Sequence, residues 1–212
     1  MRKLTTMAMT AAAILLLLAP VSTQVGKTQG VVDVNTIGES QLAQLPHMTP
    51  AIAKAVVAQR PYASAIELNK LLLSQGLTQE QASALYAKAF VHINLNTATS
   101  EEIMLIPGAG RRMAHEFDEY RPWKSYAQFD KEIGKYVDAT QVARLAQYTF
   151  IPMNANSASD ADLLTIPNAD QGLVDRIKAG RPYKAIADLE AAVAKGATPA
   201  EGKRVARYFV VQ

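Results

Sequence analysis

One pattern recurs three times along this chain of 212 residues. Asn35, Asn96 and Asn156 stand 61 and then 60 residues apart, and Pro46, Pro107 and Pro167 each follow their Asn by eleven. Arg60-Pro61, Arg121-Pro122 and Arg181-Pro182 keep the same phase, each followed at once by an aromatic: Tyr62, Trp123, Tyr183. Anchors in register over three copies require an array of one structural unit, each copy burying apolar surface on its neighbours. The copies are bounded as 31–91, 92–152 and 153–212.

Residues 1–30 stand outside the array. Arg2 and Lys3 precede an apolar run from Met7 to Val21, shorter than a membrane-spanning helix requires and of the length of a secretory signal. The segment is read as a signal peptide or a retained N-terminal anchor, with Gln24 to Gly30 as linker. The expected location is therefore periplasmic, free or anchored on the periplasmic face of the inner membrane. The chain has no cysteine, so disulfides and a lipid-modified N-terminal cysteine are excluded, and stability must come from packing. The formal net charge of +3 comes from Arg2, Lys3 and Lys27: the 22 basic residues less these three leave 19 over Val31–Gln212, against 19 acidic. A protein that grips many phosphates carries a basic excess. Any such grip here must be local.

The middle copy shows the unit most clearly. Ile93-Asn94-Leu95-Asn96 reads as extended. Thr99 and Glu102 have the spacing of a capping box at the start of a helix whose apolar face carries Ile103 and Ile106. Pro107-Gly108-Ala109-Gly110 ends that helix, and a second runs from near Arg111 through Met113, Ala114, Phe117 and Tyr120 to the stop at Arg121-Pro122. Two further helical stretches are expected over Trp123–Gly134 and Asp138–Tyr148, before extended Phe150-Ile151-Pro152-Met153. Each copy is thus two helical hairpins in a row, and the fold class is all-α, with room for short strands between units. With almost no linker between copies, a rigid rod or arc is expected.

The run Ile93-Asn94-Leu95-Asn96-Thr97-Ala98, Glu101-Glu102-Ile103, Ile106-Pro107-Gly108-Ala109-Gly110 and Ala114 resembles the helix-hairpin-helix module, in the variety found in the exported competence DNA receptor ComEA and its relatives. The resemblance covers all three copies and is strongest in the middle one. It implies a compact helical domain whose hairpin turns main-chain N–H groups toward a nucleic-acid phosphate, without reading bases. The candidate phosphate-binding residues are Gly108, Ala109, Gly110, Arg111 and Arg112. Copies one and three depart from the pattern: Pro46-His47-Met48-Thr49-Pro50 removes a donor at Pro50, and Pro167-Asn168-Ala169-Asp170-Gln171 places a carboxylate where a phosphate would sit. The second turn of each copy, at Gln75-Gly76-Leu77, Tyr136-Val137-Asp138 and Lys195-Gly196-Ala197, lacks a two-glycine signature as well.

Each candidate feature also has a plainer reading. Arg112 could pair with Glu116, and Arg111 with Glu101 or Glu102. Tyr62, Trp123 and Tyr183 follow helix-breaking prolines, where a ring plugs the joint between helices rather than stacking on bases. Glu116, Asp118 and Glu119 read as a solvated helix face, and Lys203, Arg204 and Arg207 as the wet face of the last helix. His47, His92 and His115 are scattered and form no metal-ligand spacing. No cofactor motif and no set of catalytic residues is present, so the chain is expected to be non-enzymatic, with no small-molecule substrate. Two partners fit: double-stranded DNA, held weakly and without sequence preference, or a periplasmic or membrane protein complex, as for the extrinsic subunits of photosynthetic complexes that carry related units.

Overall fold

A computed structural model describes residues 30–212. The expected leader and anchor lie outside these residues. The described chain is dominated by helices, with six two-residue strands among them.

Three sets of elements follow one another, each a strand, four helices and a strand. The first set is β1 (Val32–Asp33), α1 (Glu39–Leu42), α2 (Pro50–Ala58), α3 (Ala65–Ser74), α4 (Gln79–Tyr86) and β2 (Ala89–Phe90). The second is β3 (Ile93–Asn94), α5 (Ser100–Met104), α6 (Arg111–Glu119), α7 (Tyr126–Ile133), α8 (Ala139–Ala146) and β4 (Thr149–Phe150). The third is β5 (Met153–Asn154), α9 (Asp160–Leu163), α10 (Gln171–Ala179), α11 (Ile186–Lys195), α12 (Pro199–Ala206) and β6 (Phe209–Val210). No described helix is long and apolar enough to cross a membrane.

Side-chain caps decide where most helices begin. The box expected of Thr99 and Glu102 forms: Thr99 Oγ1 accepts from Glu102 N–H at 3.2 Å, and the Glu102 carboxylate accepts from Thr99 N–H at 3.1 Å. Ser125 caps α7, so Trp123 to Ser125 lie before the helix rather than in its first turn. The two-residue strands pair in parallel, the first with the last of each set: Val32 with Ala89, Ile93 with Thr149, Met153 with Phe209. None of the described helices exceeds ten residues, a length that water alone does not stabilise. Burial holds them.

The repeated anchors lock each set from inside. Asn96 Oδ1 accepts from Trp123 N–H at 2.6 Å while its Nδ2 donates to Trp123 C=O at 3.0 Å. Asn35 and Asn156 hold Tyr62 and Tyr183 in the same way. The ring that follows each cis Arg-Pro bond is buried. Its polar tip donates back to the helix before it: Tyr62 Oη to Val56 C=O, Trp123 Nε1 to Phe117 C=O, Tyr183 Oη to Ile177 C=O. These rings are core, as their position after the proline predicts. Two of the three arginines serve the same joint, whereas Arg60 leaves its buried Nε and Nη2 without partners. Arg121 reaches Leu95 and Ala98 carbonyls, and Arg181 those of Ala155 and Ala158.

The first two sets share one continuous apolar core, and the third has its own. Phe90 of β2 meets Tyr148 edge-on at 5.3 Å, and Ala65 N–H donates to Glu102 Oε1 at 3.3 Å. The array does not run on as an open rod or arc. Tyr208, just before β6, donates to Asp33 Oδ2 of β1 at 2.8 Å, and Arg207 donates to His92 C=O at 2.8 Å, so the last set touches the first. The C-terminal arginines are correspondingly not a wet face. Lys203 is exposed, but Arg204 is 4% exposed and structural.

Candidate functional site

The turn between α5 and α6 differs from its two counterparts in its donors. Its path is common to all three: Gly108 has φ 78°, and His47 and Asn168, the residues after Pro46 and Pro167, have φ 60° and 59°. Asn adopts this left-handed conformation with little strain, His with somewhat more. Glycine at 108 therefore matters less for the path of the chain than for space. A Cβ there would stand 3.3 Å from Arg144 Nη2.

The difference lies at the start of the following helix, where the first N–H groups have no intrahelical partner. In the first set Thr49 Oγ1 accepts from Ile52 N–H at 3.2 Å, and Pro50 contributes no donor. In the third set Asp170 Oδ1 accepts from Leu173 N–H at 2.8 Å. In the second set the cap is Gly110, whose backbone is extended and which offers no side-chain acceptor. A Cβ on Gly110 would meet nothing within 4 Å, so the space a side chain would fill stands open. The first turn of α6 thus keeps both its donors and its partial positive charge uncovered. Ala109 is the exception among the five candidate residues. Its N–H is committed to Ile106 C=O at 2.9 Å and its side chain is buried, so it shapes the turn and presents no donor.

Arg111 and Arg112 are both exposed. The ion pairs weighed for them do not form. Among the described residues no carboxylate lies within 4 Å of either guanidinium. Glu102 is occupied by the amides of Thr99 and Ala65. Glu116 is not part of a solvated face. It is turned inward and 6% exposed, with Oε2 unpartnered. Asp118 and Glu119 are exposed and pair with Arg121 and His115. Arg112 lies over the Tyr136 ring at 5.1 Å. Tyr136 hydrogen-bonds Tyr120 at 2.8 Å, and that bond, with Glu116 behind it, pushes the Tyr136 phenol up. The ring therefore stays neutral and keeps its face available to the cation.

A residue outside the expected set completes the turn. Arg144 of α8 donates from Nη1 to Pro107 C=O at 2.5 Å and from Nε to Gln141 Oε1 at 2.8 Å. Arg204 of α12 makes the same contact with Pro167 C=O at 2.8 Å, but there Glu201 grips the guanidinium at 2.7 and 2.5 Å. The Arg204 hydrogen bond holds the Glu201 carboxyl below the ordinary range. Gln141 is neutral, and among the described residues no carboxylate pairs with Arg144. The second set alone therefore carries an uncompensated cation against this turn; α4 of the first set has no arginine at all. The signal was present in the sequence as a shared offset of 37 residues, Pro107 to Arg144 and Pro167 to Arg204.

Compared with protein families, with curated proteins and with solved structures, the chain matches none of them.

Proposed function

We propose that this chain is a non-enzymatic helix-hairpin-helix protein of the ComEA type, exported to the periplasm, which binds double-stranded DNA without sequence preference through the turn between α5 and α6. The observation that carries this reading is the contrast among the three equivalent turns. Two have their leading N–H groups capped from within, by Thr49 and Asp170, and one is left open at Gly110 with Arg111, Arg112 and Arg144 unpaired by acids around it. Uncapped N–H groups at a helix start, backed by unneutralised guanidinium groups, suit a phosphodiester oxygen. Gly108 and Gly110 allow a backbone to approach closely, and contacts to phosphate carry no sequence preference.

With one open turn in three, few phosphates are neutralised, so binding is weak and the slope of log affinity against log salt is shallow, about −2 to −3 for two or three contacts. Titration of a labelled duplex at low salt, followed by fluorescence anisotropy, measures it. Arg111→Glu with Arg112→Glu abolishes binding, and absence of binding by the unaltered chain rejects the reading.

A second reading, an adaptor that docks on a periplasmic or membrane protein, is favoured by a different observation. Met104 of α5 and Leu164 beside α9 occupy matching places next to the turns and stand 40% and 47% exposed. A pull-down from envelope extract treated with nuclease separates the two: a stoichiometric protein partner surviving the nuclease, lost on Met104→Glu with Leu164→Glu, supports the adaptor.

A further inference from the structure

The place where the first and last sets touch is crowded with polar groups, and one of them has no partner. His92, in the two-residue link between β2 and β3, is completely buried, and neither Nδ1 nor Nε2 makes a hydrogen bond. The matching link between β4 and β5 carries Pro152 there, with no polar side chain. A buried polar group without a partner costs stability and calls for an explanation.

The charged and titratable groups around His92 come from two other elements. From β1 comes Asp33, 2% exposed. Its Oδ1 accepts from Asn35 N–H at 2.9 Å and its Oδ2 from Tyr208 Oη at 2.8 Å. From the end of α12 come Arg207, which acts on His92, and Tyr208 and Arg204, which act on Asp33. Arg204 is already matched by Glu201. Arg207 donates to the His92 carbonyl, lies 5.9 Å from the Phe150 ring centre and leaves Nη1 buried without a partner. Neutral His92 is tolerated in this setting. A protonated imidazole gains a second N–H that needs an acceptor, beside a guanidinium of like charge. Asp33 is the carboxylate whose charge acts on it, and its Oδ2 is the oxygen that Tyr208 Oη holds.

We infer that His92 is a proton-operated latch: on acidification it draws Asp33 away from Tyr208 and the third set releases the first. Burial pushes the His92 imidazole below its ordinary value of 6.5, with Arg207 lowering it further and Asp33 opposing. The folded group therefore binds its proton less readily than the unfolded one. The stability of the closed form is full above 6.5 and is lost progressively as pH falls from there through the folded value.

The chain has no cysteine, so Lys54→Cys in α2 and Lys195→Cys in α11, both exposed, give a unique pair for a donor and an acceptor dye in the full chain. The expected result is a fall in transfer efficiency on acidification, with a midpoint below 6.5 that coincides with the His92 imidazole resonance and with helical circular dichroism unchanged. His92→Gln keeps the efficiency flat over the same range. Constant efficiency while His92 protonates overturns the latch, as does opening of His92→Gln at the same midpoint, or loss of helix together with the distance change. Should His92→Gln not fold, Tyr208→Phe decides: it frees Asp33 to accept from His92, so the His92 midpoint rises, and an unmoved midpoint overturns the inference.

Discussion

Gly110→Asp separates binding from stability at one atom. Asp170 shows what the substitution builds, since its carboxylate caps α10 through Leu173 N–H at 2.8 Å. Gly110 has the same extended cap conformation, φ −98° and ψ −176°, and open space where the new Cβ would go. The carboxylate of the variant therefore accepts from Met113 N–H, the donor that matches Leu173. Replacing glycine by aspartate at a cap contributes a few tenths of a kcal/mol. A negative charge on the helix dipole adds about 0.3–1 kcal/mol. In a chain of this size each kcal/mol moves Tm by roughly 2–4 °C, so scanning calorimetry should show a rise of about 1–5 °C. The same carboxylate takes one of the open donors and repels phosphate. Loss of one charge-assisted contact of about 1.5–3 kcal/mol weakens duplex binding by roughly ten- to a hundredfold. The salt slope becomes shallower by about 0.9 for each phosphate lost. The two readouts move in opposite directions, so misfolding cannot account for the loss. A variant that is more stable and binds duplex as before would refute the assignment of the site.

Three further outcomes test other joints. Gln141→Glu should copy the Glu201–Arg204 pairing onto Arg144 and lower duplex affinity severalfold at low salt, with melting unchanged within about 0.5 kcal/mol for a half-exposed pair; anisotropy and calorimetry report both. Asn96→Ala should orphan the N–H and C=O of Trp123 and cost about 2–4 kcal/mol in urea unfolding, on the scale of two unmade buried hydrogen bonds. Gly202→Ala would place a Cβ 2.5 Å from Glu190 C=O, where α12 presses on α11, and the forced separation should cost about 1–3 kcal/mol by thermal melt.

Much of the unit was legible because its signals are local. Thr99 with Glu102 satisfies its own helix start within three residues, and the prolines at 107 and 122 bound α6 between them; Ser125 and Asp138, inside the helical stretches the sequence suggests, prove to be the caps before α7 and α8. The core role of Trp123 followed from its place after a helix-breaking proline. What stayed hidden depends on partners far along the chain. Residues as short as Val32-Asp33 carry no period from which pairing with Ala89-Phe90 could be read. Glu116 looks like its exposed neighbours Asp118 and Glu119, and only the packing of α6 turns it inward. Arg204 sits in a polar helix segment, and its burial follows from the Pro167 carbonyl 37 residues earlier. In the candidate site Gly110, Arg111 and Arg112 stood out in the sequence. Arg144 did not, because its role depends on a turn supplied by another pair of helices. The bond from Tyr208 to Asp33 spans 175 residues, beyond the reach of any pattern within one repeat.

The parallel pairing of first and last strands means that every set ties its own beginning to its own end, 57 residues apart from Val32 to Ala89. A growing chain cannot finish a set halfway; its opening strand waits for a mate until the closing one has been made. The first two sets are finished in order, whereas the segment around Tyr208 and Phe209 both completes the third and clasps the first. That one segment thus holds two closures, and a nick beside it would undo both at once.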